Sequence, residues 1–142
     1  ETMDAPPNLT GDDSKVLSRK TALPGSAATV RPSDVSLEEF YEVNETIKFL
    51  EEAKAKKVAL QFPDAMLGDS HGVYDQLVLA MAQTEFFILA DTSYGGCCVD
   101  EVAAAHVSAD AIVHYGDACL SRTGGEITVR FVFGKHPLPD LP

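Results

Sequence analysis

Apolar positions along the chain fall into short blocks whose spacing changes from block to block. Leu37, Phe40, Tyr41, Val43, Ile47 and Leu50 recur at roughly helical intervals. They follow Ser36-Leu-Glu-Glu39, a capping box in which the Ser hydroxyl accepts from the Glu39 amide and the Glu39 carboxylate reaches back. The pattern predicts a helix that ends in the basic stretch Lys54-Ala-Lys-Lys57, where cations meet the negative end of the helix dipole. Residues 58–62 form an apolar run closed by Pro63 and predict a buried strand. Residues 66–83 predict a second helix, interrupted near Gly68 and Gly72. A second strand is expected over 85–90, and a short alanine-rich helix over 99–107, capped near Cys98 or Asp100. Residues 111–115 predict a third strand. Residues 127–133 alternate and are rich in β-branched and aromatic side chains, which predicts a fourth strand at an edge of the sheet.

The order α-β-α-β-α-β-β implies right-handed crossovers and an α/β fold, a mostly parallel sheet flanked by helices. Residues 1–35 carry Pro6, Pro7, Pro24 and Pro32 among small polar residues and few large apolar ones. Such a segment buries too little surface to offset its ordering entropy, so a flexible tail is expected over 1–35. The α/β domain is then expected over 36–134. Residues 135–142, with three prolines, read as a linker.

A chain of 142 residues is long enough for one domain with a real core. No apolar run is long enough to span a bilayer, and the start shows no signal peptide; Glu1 in the first position predicts that residues are missing upstream. The net charge of −11 is uneven: residues 1–36 carry a net −1 and residues 37–142 a net −10. An acidic domain argues against direct binding to nucleic acid or to an anionic membrane, both of which need basic patches. Solubility alone is the simplest reading of that charge. Three cysteines in a domain with a sufficient core do not form a disulfide framework, which predicts a reducing, cytoplasmic setting.

All three cysteines lie just beyond predicted strands. Cys97 and Cys98 follow the strand over 85–90, and Cys119 follows the strand over 111–115. Ligands of open parallel sheets collect at the carboxyl ends of strands, so two such loops on neighbouring strands would bring their thiols to one edge. Adjacent side chains diverge in an extended chain, so one of Cys97 and Cys98 is expected at the site and the other in the core. Core packing is the plain alternative for each thiol. Gly95-Gly96 lets the backbone turn tightly before the pair. The spacing matches no zinc knuckle, which pairs thiols a few residues apart. His106 and His114 make a mixed site arithmetically possible, but one lies on a helix and the other in a strand; His71 and His136 have no ligand pattern around them. A nucleophilic Cys98 at a helix start would have its thiolate opposed by Asp100 and Glu101. Asp64, after the first strand, reads as a helix cap, or as a carboxylate at the same sheet edge.

Three segments carry a specific resemblance: Val58-Ala-Leu-Gln-Phe-Pro-Asp64, Asp91-Thr-Ser-Tyr-Gly-Gly-Cys-Cys-Val-Asp100 and Val113-His-Tyr-Gly-Asp-Ala-Cys-Leu-Ser121. Over roughly residues 37–134 the chain resembles the N-terminal domain of the diphthamide synthase family, also called 2-(3-amino-3-carboxypropyl)histidine synthase. Gln61-Phe-Pro-Asp64 and Asp117-Ala-Cys-Leu-Ser121 look more like the subunit 2 branch than the subunit 1 branch. The resemblance implies the first of three similar α/β domains around a [4Fe–4S] cluster. It implies an enzyme subunit that, with subunit 1 as heterodimer partner, supports radical transfer of a 3-amino-3-carboxypropyl group from S-adenosylmethionine to a histidine of translation elongation factor 2.

Carried over residue by residue, Cys97 and Cys119 are the implied cluster and metal ligands. Cys98 belongs to the motif without being an implied ligand, and no catalytic residue is implied in this chain. A third protein ligand would lie outside it, S-adenosylmethionine would bind at the partner subunit, and an electron-donor protein would be needed. The isolated domain is then expected to be inactive. The competing expectations are a non-catalytic scaffold that stabilises the partner subunit, with structural or zinc-binding cysteines, and a zinc or redox-thiol protein of another kind.

Overall fold

The computed structural model describes residues 30–89 and 96–135. Most of the expected tail and linker, and Ala90 at the end of the expected second strand, lie outside the described residues. Where the chain enters, Val35 already packs on the core and Arg31 pairs with Asp69 at 2.9 Å, so the packed part includes residues upstream of Ser36.

Ser36 caps the first helix as expected, its Oγ accepting from the Glu39 amide at 3.2 Å. The helix, α1 (Leu37–Phe40), is only one turn long. Glu42 then adopts φ 49°, and a second helix, α2 (Val43–Glu52), begins. The expected single helix is therefore two, and it stops short of the basic stretch. Residues two apart on one helix point about 200° apart. Tyr41 and Val43 are both buried, which one continuous helix would not allow; the break re-phases the chain so that both face the core. The Glu42 carboxylate ties the break to the far side of the domain through Arg130 at 3.5 Å and Lys135 at 3.6 Å.

Strand β1 (Lys57–Gln61) is followed by a 3-10 turn (Asp64–Met66) and helix α3 (Leu67–Ala80). Asp64 lies within the turn and does not cap the helix. The helix runs unbroken through Gly68 and Gly72, against expectation. Gly72 serves close packing: a Cβ there would lie 2.8 Å from Leu37 Cδ1. Strand β2 (Glu85–Leu89), helix α4 (Glu101–His106), β3 (Ala111–Tyr115) and β4 (Thr128–Val132) complete the domain.

The four strands form one sheet in the order β2-β1-β3-β4, parallel throughout, with β4 at an edge. The α/β expectation holds. Parallel sheets are covered on both faces, which is why β1 and β3 are apolar apart from Lys57, Gln61 and His114. One face packs against α1, α2 and α3 through Phe40, Tyr41, Leu50, Leu60, Leu77 and Val113. On the other, smaller face Ala104 of α4 packs with Ala59, Leu89 and Ile112. The β3–β4 crossover, residues 116–127, contains no helix. It leaves β3 through Gly116, at φ 86°, where a Cβ would sit 2.8 Å from the Pro63 ring. That crossover and the turn before α4 hold all the thiols. Among the described residues no helix is long and apolar enough to cross a membrane.

Candidate metal centre

The site is assembled from the carboxyl ends of β1, β2 and β3. Gln61, the last residue of β1, and His114, the last but one of β3, are register partners and lie on the α4 side of the sheet. Both are buried polar side chains, and each holds one thiol loop. Gln61 Nε2 donates to the Cys98 carbonyl at 2.8 Å, while its Oε1 accepts from the Asp100 amide at 3.0 Å. Asp100 in turn caps α4, its Oδ1 accepting from the Ala103 amide at 2.8 Å. One buried amide thus fixes the Cys97–Cys98 turn against the sheet and against α4. On the other strand, His114 Nε2 lies 3.0 Å from the Asp117 carbonyl and holds the start of the second loop. Farther along that loop, the Glu101 carboxylate accepts from the Gly124 amide at 2.9 and 3.0 Å. The two loops meet directly where the Cys119 amide donates to the Cys97 carbonyl at 3.0 Å.

This scaffold brings all three sulfurs together. Cys98 Sγ lies 4.0 Å from Cys97 Sγ and 3.6 Å from Cys119 Sγ, and all three fall within 4.8 Å of one another. Cys97 and Cys119 are exposed and Cys98 is half-buried. The two loops share one sheet edge, as their places after consecutive strands predict, although β2 and β3 are not neighbours: β1 lies between them. Cys98 differs from expectation: its sulfur does not turn into the core. The divergence rule applies to extended backbone, whereas this pair sits in a turn whose carbonyl Gln61 holds. His106 and His114 are not among the gathered ligand groups. Asp64 is exposed beyond the end of β1 and is not among them either.

The three thiols are electrostatically unequal. The Ser121 hydroxyl, 3.1 Å from Cys119 Sγ, stabilises the Cys119 thiolate together with the Ser121 backbone amide and the Cys98 thiol, and brings its pKa down to about 7. Hydrogen bonding to Cys119 and then to Cys97, with a smaller contribution from burial, pushes Cys98 up to about 11. Of these two thiols, Cys119 therefore takes the negative charge more readily, with Cys98 as a donor to it. Soft thiolates in this arrangement suit zinc, copper(I) and iron–sulfur centres and suit magnesium or calcium poorly. The donor chemistry fits an iron–sulfur cluster, with Cys97 and Cys119 the more exposed pair.

Gln61 was legible as part of a motif but not as a support. The available signal was a neutral polar side chain ending an apolar strand, where burial demands partners for both its ends.

The family of diphthamide synthesis proteins matches residues 62–141, a span that contains both thiol loops. The chain is 46% identical over 126 residues to 2-(3-amino-3-carboxypropyl)histidine synthase subunit 2 of Gallus gallus, covering 89% of this chain and 25% of that protein. The same subunit of Schizosaccharomyces pombe is 52% identical over 102 residues, covering 72% of this chain and 20% of that protein. The chain spans a quarter or less of the length of these two relatives. The crystal structure of Dph2 from Pyrococcus horikoshii matches with a TM-score of 0.56 at 24% identity, covering 65% of this chain and 26% of that one. The structure of the same protein with a 4Fe-4S cluster matches with a TM-score of 0.55. These two share the fold. With its thiol loops inside the matched span and its sequence matched over most of its length, this chain belongs to the diphthamide synthesis protein family.

Proposed function

We propose that this chain is the first of three similar domains of a synthase subunit 2. In this reading Cys97 and Cys119 hold a [4Fe–4S] cluster with a third protein ligand from outside the chain. Residues 36–134, together with the docked Arg31 and Val35 just before them, are the domain, and 135–142 a linker to the rest of the polypeptide. With subunit 1 the assembly transfers a 3-amino-3-carboxypropyl group from S-adenosylmethionine to a histidine of elongation factor 2, in the cytoplasm. The cofactor would supply electrons for cleaving S-adenosylmethionine, which binds at the partner subunit; an electron-donor protein replenishes them. This chain's own contribution is to present thiolates on two rigidly tied loops and to keep the sheet edge behind them dry.

The observation that carries the reading is the convergence of thiols from two separate loops at one carboxyl edge, within 4.8 Å. The likeness to subunit 2 relatives and the 4Fe-4S cluster of the Pyrococcus protein support it. The test uses full-length protein paired with subunit 1, reconstituted anaerobically with iron and sulfide. Cys97→Ala and Cys119→Ala should each lower iron per chain and slow transfer of a labelled aminocarboxypropyl group to the factor. Normal iron and turnover in both variants would leave the domain a scaffold for its partner.

A further inference from the structure

The sulfurs stand closer together than cluster ligation alone calls for. A single zinc ion binds thiolates at about 2.3 Å, and two thiolates on one tetrahedral ion are then about 3.8 Å apart. Cys98 Sγ lies 4.0 Å from Cys97 Sγ and 3.6 Å from Cys119 Sγ, and the remaining pair lies within 4.8 Å. The corners of a cubane hold their thiolates farther apart, because each is bonded to a different iron. A linear search for paired thiols misses such a site, since two of the three ligands are neighbours in the chain. The Gln61 bond to the Cys98 carbonyl and the Cys119 amide bond to the Cys97 carbonyl fix both loops independently of any ion. The exposure of Cys97 and Cys119 leaves a fourth position open to solvent.

We infer that Cys97, Cys98 and Cys119 together bind a single soft divalent cation, zinc or its analogue cobalt, as a three-thiolate site with one solvent ligand. This occupancy uses a thiol that the cluster reading does not need. It does not rest on that reading, and the two occupants exclude each other because they share Cys97 and Cys119. Binding involves no redox change: each thiol that ligates gives its proton to solvent, and the metal stays divalent.

The test is an anaerobic titration of the metal-free chain with Co2+, followed by displacement with Zn2+. The expected result is one Co2+ per chain, with intense sulfur-to-cobalt charge-transfer absorption and the visible bands of tetrahedral cobalt, both abolished by one equivalent of Zn2+. Cys98→Ser should weaken Co2+ binding by about tenfold or more, at least the effect of losing a supporting residue around a metal. Circular dichroism of the variant should match the parent, which separates lost ligation from lost fold; if the variant unfolds, the same comparison is made in the full-length protein. Octahedral cobalt spectra, or a Cys98→Ser variant that binds as tightly as the parent, would overturn the inference. A separate arm reconstitutes both proteins with iron and sulfide. Cluster formation without tetrahedral cobalt binding defeats this inference and leaves the cluster reading standing; tetrahedral cobalt binding without cluster formation does the reverse. Zn2+ added before reconstitution should lower iron and sulfide uptake, and unchanged uptake would show that the two occupants do not compete.

Discussion

The two faces of the sheet are governed by different rules. Under α1, α2 and α3 the core is apolar and redundant, with Phe40, Tyr41, Leu50, Leu60 and Leu77 all buried in one cluster. At the thiol edge the structure depends on single, directional contacts that nothing repeats. The Gln61 amide alone bridges the Cys98 carbonyl and the Asp100 amide. Apolar packing is non-directional and tolerates substitution of like for like, whereas a buried amide that loses its partner costs the full desolvation of what it leaves behind. Stability should therefore reside on one face and ligand geometry at the other edge, and substitutions should separate the two.

The largest effect on stability is expected from the core. Leu60→Ala removes a fully buried side chain from the central strand and should cost about 2–5 kcal/mol in urea unfolding. Metal bound per folded chain should stay the same. If Leu60→Ala abolished metal binding in chains that circular dichroism shows to be folded, the separation of core from site would be wrong.

Gln61→Leu reverses the pattern. The shape is nearly kept, but the Cys98 carbonyl and the Asp100 amide lose their partner, which should cost about 1–3 kcal/mol. Metal affinity, read by the cobalt titration, should fall about 10- to 100-fold, more than any effect Leu60→Ala has on it. Gln61→Glu keeps an acceptor for the Asp100 amide and loses the donor to the Cys98 carbonyl. It should fall between the two, and equal affinities for Gln61→Leu and the parent would show that the loop is held by other means.

How much of this was legible in the sequence follows from the same contrast. The strand over 111–115 was readable to the residue, because a parallel strand covered on both faces is apolar along most of its length, His114 being its buried polar exception. The Ser36 cap was readable because it is a local hydrogen bond. The break at Glu42 was not: it depends on Arg130 and Lys135, far away in sequence, and on burying both Tyr41 and Val43. Gly72 was misread as a breaker, because the close approach of Leu37 is a tertiary fact. The placement of Cys97 and Cys119 at one edge followed from topology. The turning of Cys98 toward them depended on a turn conformation that adjacency in the chain does not reveal.

A smaller effect separates the two regions by pH. Asp69 accepts from Arg31 and from the Tyr41 hydroxyl, at 2.9 and 3.0 Å, on the helical side. The Arg31 hydrogen bond, with help from Tyr41, holds its carboxyl below the usual carboxylate range. Its folded pKa is depressed, so its contribution is full above the ordinary carboxylate pKa and is lost as the pH falls through the lowered value. Asp69→Asn should cost about 1 kcal/mol near neutrality, since the pair is partly solvated. The difference from the parent should shrink in acid, and a constant difference from neutral to acid pH would show that charge is not what Asp69 contributes.

The smallest effect on stability, and the sharpest on the site, is expected from the order in which the thiols react. Alkylating reagents attack the thiolate, and its fraction at a given pH follows the thiol pKa. In metal-free protein Cys119, lowered to about 7 by Ser121, should be modified first, with its rate rising most steeply near neutral pH. Cys98, pushed up to about 11 and half-buried, should be modified last. Ser121→Ala removes the hydroxyl beside Cys119, so its pKa should rise and its reaction near neutral pH should slow, while unfolding is expected to change by no more than a few tenths of a kcal/mol, as for other surface changes. Mass spectrometry of peptides after timed iodoacetamide treatment reads all three sites at once. If Cys98 reacted ahead of Cys119, the hydrogen bond between the two thiols would run from Cys119 to Cys98. If Ser121→Ala left the Cys119 profile unchanged, the hydroxyl would be a neighbour without influence, and the backbone of the crossover loop would have to carry the shift.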